Sequence, residues 1–175
     1  MHKLFIIVLV MFSANAIAAE YGKVSGLPVP RFVSFKSSET NLRKGPNVRY
    51  PIVWTYKRKG YPMEIVAEFE NWRKLRDSDG QEGWVHLNLV TGTRNFVVKS
   101  NDYVEAIQEY KDRKRELVIF RYPDESSFPM LRAEIGVIGS VKSCNPSWCK
   151  VKIEDVYGWV RKENMWGVYP EEVIE

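Results

Sequence analysis

The sequence predicts an all-β protein made of two small barrels in tandem. Short apolar runs alternate with Gly, Pro and Asp turns, the order of parts in barrels of five or six short strands. Landmarks also recur at one offset: Trp72 and Trp148 lie 76 residues apart, and Trp84 and Trp159 lie 75 apart. Two landmarks at nearly the same spacing mark a duplicated unit. With 45% hydrophobic and 13% aromatic residues over 175 positions, the chain can bury a core and is far from a disordered composition.

The chain opens with Met1-His-Lys3, an uninterrupted apolar run from Leu4 to Phe12, and small residues at Ala14, Ala16, Ala18 and Ala19. This pattern reads as a secretory signal peptide over residues 1–19, cleaved after Ala18 or Ala19, because so short an apolar run cannot cross a bilayer. The alternative is an uncleaved N-terminal anchor. The only cysteines, Cys144 and Cys149, lie far from the cleavage region, which excludes a lipid on a processed N-terminal Cys. The expected location is periplasmic or secreted, with no stable membrane insertion after cleavage.

The formal net charge of +4 is unevenly spread. Residues 20–97 hold 13 Lys/Arg against 8 Asp/Glu, whereas residues 98–175 hold 12 against 14. A basic first half outside the cytoplasm either favours anionic envelope partners over nucleic acid or is simply a solvated surface.

Taken in order, residues 20–30 carry Gly22, Gly26, Pro28 and Pro30 without a period, which predicts an extended leader that lies across the first barrel or stays loose. The first barrel is expected over 31–95, with strands at 32–36, 40–43, 52–56, 63–69, 72–75 and 83–86. Lys57-Arg-Lys-Gly60 is a turn in which Gly60 supplies positive φ, and Asp77-Ser-Asp-Gly80 is a hairpin signal. Residues 96–116 are expected to connect the barrels. There 95–98 looks like a strand, while Val104, Ile107 and Tyr110 behind Asn101-Asp102 fit a short helix as well as a two-stranded extension. The second barrel is expected over 117–170, with Trp166 and Tyr169 packing on its rim, and 171–175 as a tail.

Chemistry-bearing residues are few. Cys144-Asn-Pro-Ser-Trp-Cys149 places two sulfurs at facing strand ends, within reach of a structural disulfide that an exported location favours. The spacing is not that of a Cys-x-x-Cys redox motif, and two sulfurs without nearby His do not make a zinc site. His86 is the one histidine left after signal removal, and Cys–His catalysis would need a free thiolate beside it. Asp77 with Asp79, and Glu154 with Asp155, sit in turns and are read as turn formers. No catalytic residue, cofactor or metal is expected.

At Asn41-Leu-Arg-Lys-Gly-Pro46 and Gly83-Trp-Val85 the sequence resembles the bacterial SH3-like (SH3b) domain family, whose hallmark runs as Asn-hydrophobic-Arg-x-Gly-Pro and ends in Gly-Trp-Val. Tyr157-Gly-Trp-Val160 repeats the ending, with Arg121-Tyr-Pro-Asp124 standing where Arg-x-Gly-Pro would be. The whole run is similar to exported SH3-domain proteins of alphaproteobacteria. The resemblance implies SH3-like barrels that recognise peptidoglycan peptides or an envelope protein and perform no catalysis. The candidate ligand residues are Arg43, Arg49, Tyr50, Trp54, Tyr56 and Trp72, because such barrels hold extended peptides in aromatic-lined grooves. Arg43 either faces an anion or holds its own loop, and the aromatics either line the groove or pack in core and rim. Gly83 and Gly158 are expected to let the backbone bend, and Trp84 and Trp159 to fill the cores, with stacking on a ligand as their alternative role. The alternative function is a structural envelope scaffold with no small ligand, which a blocked or convex surface around Tyr50 and Trp54 would favour.

Overall fold

The computed structural model describes residues 20–99 and 116–175. The expected signal peptide and the helix or hairpin within 101–114 lie outside the described residues. Two seven-stranded antiparallel sheets make up the body. The first contains β3 (Arg31–Phe35), β4 (Thr40–Arg43), β5 (Ile52–Tyr56), β6 (Pro62–Phe69), β7 (Trp72–Arg76), β8 (Glu82–His86) and β9 (Val90–Thr91), in the order β5-β4-β8-β7-β6-β3-β9. The second contains β10 (Asn95–Val98), β11 (Glu116–Phe120), β12 (Pro129–Glu134), β13 (Ile138–Cys144), β14 (Trp148–Ile153), β15 (Val156–Arg161) and β16 (Met165–Trp166). Its order, β12-β11-β15-β14-β13-β10-β16, repeats the first strand for strand.

The strands form because apolar residues alternate with polar ones and the inward set closes on a core. In the first sheet Val33, Phe35, Leu42, Met63, Ile65, Leu75, Val85 and Val90 make one cluster. In the second, Phe96, Ile119, Val151 and Val160 anchor another. Each fully buried side chain of this size contributes about 1.5–3 kcal/mol.

Two expectations about the ends of the second barrel are corrected. Its first strand is β10, which pairs with β13 and β16, so the barrel begins at Asn95 and not at 117. The reason is packing: Phe96 and Val98 are buried in the second core. The tail at 171–175 is likewise part of the barrel. Ile174 bridges to Cys144, Lys162 Nζ donates to the carbonyls of Pro170 at 3.0 Å and Glu172 at 2.5 Å, and Arg94 grips the Glu172 carboxylate at 2.5 and 2.8 Å.

The glycines of the two Gly-Trp-Val endings serve close packing. A Cβ on Gly83 would lie 2.7 Å from Leu42 Cβ, and one on Gly158 would lie 2.4 Å from Ile119 Cγ2 and 2.6 Å from the Phe120 carbonyl oxygen. Trp84 and Trp159 are half-buried on the outer face, while Val85 and Val160 point inward. The expectation that these tryptophans fill the cores is thus corrected, since neighbours on a strand face opposite ways.

At the far end of the β6–β7 hairpin, Glu68 sits across from Arg73; at the equivalent place between β13 and β14, Cys144 sits across from Cys149. The second pair is a disulfide with Cα atoms 4.1 Å apart. A loop this short contributes about 2 kcal/mol by chain entropy. Reduction is therefore expected to lower the denaturation free energy of the second barrel by about that amount, followed by chemical denaturation with and without reductant.

In the first barrel the same place carries an ion cluster that fastens the leader. β1 (Glu20–Tyr21) and β2 (Pro28–Val29) pair, and between them Ser25 donates to Glu68 from its N–H at 2.9 Å and its hydroxyl at 2.7 Å. Arg31 Nη2 adds a bond at 2.7 Å and Arg73 Nε lies at 3.4 Å. Burial alone would raise the Glu68 pKa, but these donors outweigh it and bring it down to about 2. A carboxyl with a lowered folded-state pKa stabilises fully above its unfolded value, 4.5, and loses that effect as pH falls toward the folded one. The leader should therefore detach between about pH 4.5 and pH 2, as limited proteolysis at acid pH would register; Glu68→Gln should show the loosened leader already at neutral pH.

The two barrels meet through a short link, residues 92–94, and a quasi-symmetric contact. Gly60 and Gly136 occupy equivalent turns with φ of 77° and 85°. Asn95 Nδ2 donates to the Gly60 carbonyl at 2.9 Å, and Arg58 Nη2 donates to the Gly136 carbonyl at 2.6 Å. Phe32 of β3 is 6% exposed and packs on Trp166 (centroids 5.0 Å, edge-on) and Tyr169 (4.7 Å) of the second barrel. Trp166 and Tyr169 thus cover the neighbouring barrel as well as their own.

Candidate functional site

The excursion between β4 and β5, residues 44–51, shapes the surface where the candidate residues lie. Lys44 N–H donates to the Pro51 carbonyl at 3.0 Å and Tyr50 N–H to the Asn47 carbonyl at 3.1 Å, closing the loop on itself. Asn47 Oδ1 accepts from Arg49 N–H at 3.0 Å, a short polar turn of the kind Asn favours. Arg43 Nη1 donates to the Tyr50 carbonyl at 2.8 Å, so of its two expected roles the loop-holding one is occupied. Asn41 completes the motif by accepting the Thr55 hydroxyl at 2.7 Å, tying β4 to β5.

Gly45 leaves room for an aromatic ring. A Cβ there would fall 2.7 Å from three ring carbons of Tyr50, so the ring lies directly on the glycine. Tyr50 remains 47% exposed and forms a groove with Pro46, Asn47, Arg49 and Phe69, of ≈ 430 Å³. Beside it, β5 is an edge strand whose Ile52, Val53 and Trp54 are all exposed. The surface is aromatic and concave, with one cation, Arg49, at its edge.

The six candidates divide. Arg49 and Tyr50 line the groove, Trp54 stands exposed on the edge strand, and Arg43 supports the loop from below. Tyr56 turns inward, packing on Phe35 and Tyr61 and donating a short hydrogen bond to Asp77. Burial and the Asp77 carboxylate hold its hydroxyl well above the ordinary value, which keeps it a donor. Trp72 is half-buried edge-on against His86 at 5.7 Å and does not line the groove. Phe69 was missed in the sequence because it ends an alternating strand and carries no motif; its 49% exposure at the hairpin end is a tertiary fact.

His86 has a local structural task, since its Nδ1 accepts from Asn88 N–H at 3.3 Å and caps the turn after β8. With both cysteines joined in the disulfide, Cys–His chemistry lacks its thiol.

The second barrel builds the same loop with other residues. Arg121 N–H donates to the Phe128 carbonyl at 2.9 Å and Ser127 N–H to the Asp124 carbonyl at 3.0 Å, matching the first loop bond for bond. Phe120 faces Trp159 as Arg43 faces Trp84, so Phe120 takes the place of Arg43. The expected alignment of Arg121-Tyr-Pro-Asp124 with Arg-x-Gly-Pro is therefore one residue out. Tyr122 stands where Gly45 does and Ser127 where Tyr50 does, and the Ser127 hydroxyl accepts from Tyr122 N–H at 3.1 Å. With Tyr122 in the place of the glycine and Ser127 in that of the ring, the second loop has neither half of the Gly45–Tyr50 cradle.

Comparison with known proteins bears on the fold seen here. A model of the bacterial SH3 domain matches residues 36–92 and again 113–167. The chain belongs to the bacterial SH3 domain family. Both copies of the domain are the barrels described above, the first matched from just after β3. No curated protein matches the chain. Among solved structures it is similar to NlpC2 from Trichomonas vaginalis, at 10% identity and a TM-score of 0.33, over 78% of this chain and 48% of that one. It is similar also to NlpC1 from the same organism, at 9% identity and a TM-score of 0.32, over 83% and 48%. The chain spans about half the length of both.

Proposed function

We propose that this tandem of bacterial SH3 domains is an exported, non-catalytic binding module that holds peptidoglycan peptides through the groove of its first barrel. The observation that carries this reading is the Gly45–Tyr50 cradle beside Arg49 and Phe69, open in the first barrel and lost in the second. Wall peptides are extended and carry carboxylates, and the groove offers aromatic faces with a guanidinium at its edge. The basic-apolar-small start of the chain and the disulfide support export. Co-sedimentation with purified sacculi tests it. Retention that digestion of the wall abolishes is the expected result. Failure to sediment, together with recovery of an envelope protein in cross-linking, would favour the alternative of a scaffold.

A further inference from the structure

A second concavity, of ≈ 770 Å³, lies between the barrels and shares no residue with the loop groove. Its floor is aromatic, with Phe32 in contact with both Trp166 and Tyr169. One lip is the turn closed by the disulfide, which presents Pro146 and Ser147 on a stiff base.

The charges in this cleft are of two kinds. Glu64 is buried and fully engaged: its Oε2 accepts from Arg76 Nε at 2.9 Å and Nη2 at 2.6 Å, and its Oε1 from the Tyr169 hydroxyl at 2.9 Å. That leaves the Arg76 Nη1 donors, on a side chain 43% exposed, directed elsewhere. Lys99 and Glu163 also line the cleft, and neither side chain has a partner among the described residues. An unpaired lysine, the free edge of the ion-paired Arg76 and two carboxylates without a partner among the described residues, Glu163 and Glu171, therefore share one aromatic-floored space.

This combination narrows the ligand. A purely apolar molecule would cover Lys99 and Glu163 without pairing either, at a desolvation cost. A polyanion would meet Glu163, and a polycation would meet Lys99 and Arg76. We propose that the cleft binds a short peptide bearing both a free carboxylate and a free amine, the carboxylate on Arg76 and Lys99, the amine on Glu163, and the apolar body on the aromatic floor. Such a ligand pairs Lys99, the free edge of Arg76 and Glu163, places its amine in a cleft that also holds Glu171, and leaves the Glu64 network undisturbed. The site joins the two barrels into one binding surface, which neither barrel has alone.

The test is a titration of the whole mature chain with the tripeptide L-alanyl-γ-D-glutamyl-meso-diaminopimelic acid, followed by calorimetry and by backbone and indole NMR shifts. The Trp166 indole and the Lys99 and Glu163 amides should move. Lys99→Glu should weaken binding about tenfold, the loss of one charge-assisted contact. Acetylating the amines of the probe should weaken binding to the wild type by a similar factor and make no difference to Glu163→Gln. If the Trp166 indole and Lys99 stay unmoved at saturating probe, or Lys99→Glu binds as the wild type does, the proposal is overturned. Movement confined to residues 44–51 would overturn it while leaving the loop-groove reading intact.

Discussion

Phe32→Ala is expected to divide the unfolding of this chain into two transitions and to cost about 3–5 kcal/mol, the usual loss for a buried Phe. Each barrel has a core of its own, and the two clusters share no residue. Their cooperation rests on few contacts: Phe32 against Trp166 and Tyr169, the Tyr169 bond to Glu64, and the two glycine-turn hydrogen bonds. Phe32 is the one apolar anchor from the first barrel in that set, and the Arg94 guanidinium also rests over its ring at 5.7 Å. Without it the remaining bonds are left wetter and each is worth only about 1 kcal/mol. Calorimetry should show one transition for the wild type and two for the variant. A single transition with little change in midpoint would mean that the barrels are coupled by something else.

Gly158→Ala should be nearly as damaging, for a reason internal to the second barrel. The added methyl would press on both Ile119 Cγ2 and the Phe120 carbonyl oxygen, and the latter is backbone that cannot turn aside. Overpacking of this kind costs about 1–3 kcal/mol, and contact with main chain places it at the upper end. Gly92→Ala is the control, since nothing lies within 4 Å of the position a Cβ would take; its effect should stay within about 0.5 kcal/mol. Urea denaturation of the two variants distinguishes them, and equal stabilities would contradict the packing described for the Gly-Trp-Val strand.

Much of this architecture was legible because local signals and tertiary structure agree. The period-two runs, the Gly and Asp turns and the paired tryptophan offsets gave the strands and the duplication, and cysteines at facing strand ends gave the disulfide. What was not legible depends on which sheet a strand joins. Asn95–Val98 alternates as any strand does, and only its pairing with β13 assigns it to the second barrel. The one-residue slip at Arg121-Tyr-Pro-Asp124 comes from matching its arginine to Arg43, whereas the ladder counts from Phe120 opposite Trp159 and brings Pro123 to the place of Pro46. Alternation could have placed Trp84 correctly, since Gly83 and Val85 share a face and Trp84 must take the other. At the candidate groove, Arg49 and Tyr50 were found from residue type and loop position. Tyr56 was misplaced because an aromatic on an edge strand can still turn inward, and Phe69 and the aromatic floor of the cleft join elements far apart in sequence.

The claim on which the rest depends is that a ring cradled on Gly45 makes one barrel a binding barrel and that its absence leaves the other without this groove. Sacculus binding by Tyr50→Ala and Tyr122→Ala, compared with the wild type at one protein concentration, addresses it most directly. The account predicts about a tenfold loss for Tyr50→Ala, as expected when an aromatic anchor is removed, and unchanged retention for Tyr122→Ala. Equal retention by all three proteins, or loss with Tyr122→Ala alone, would contradict it.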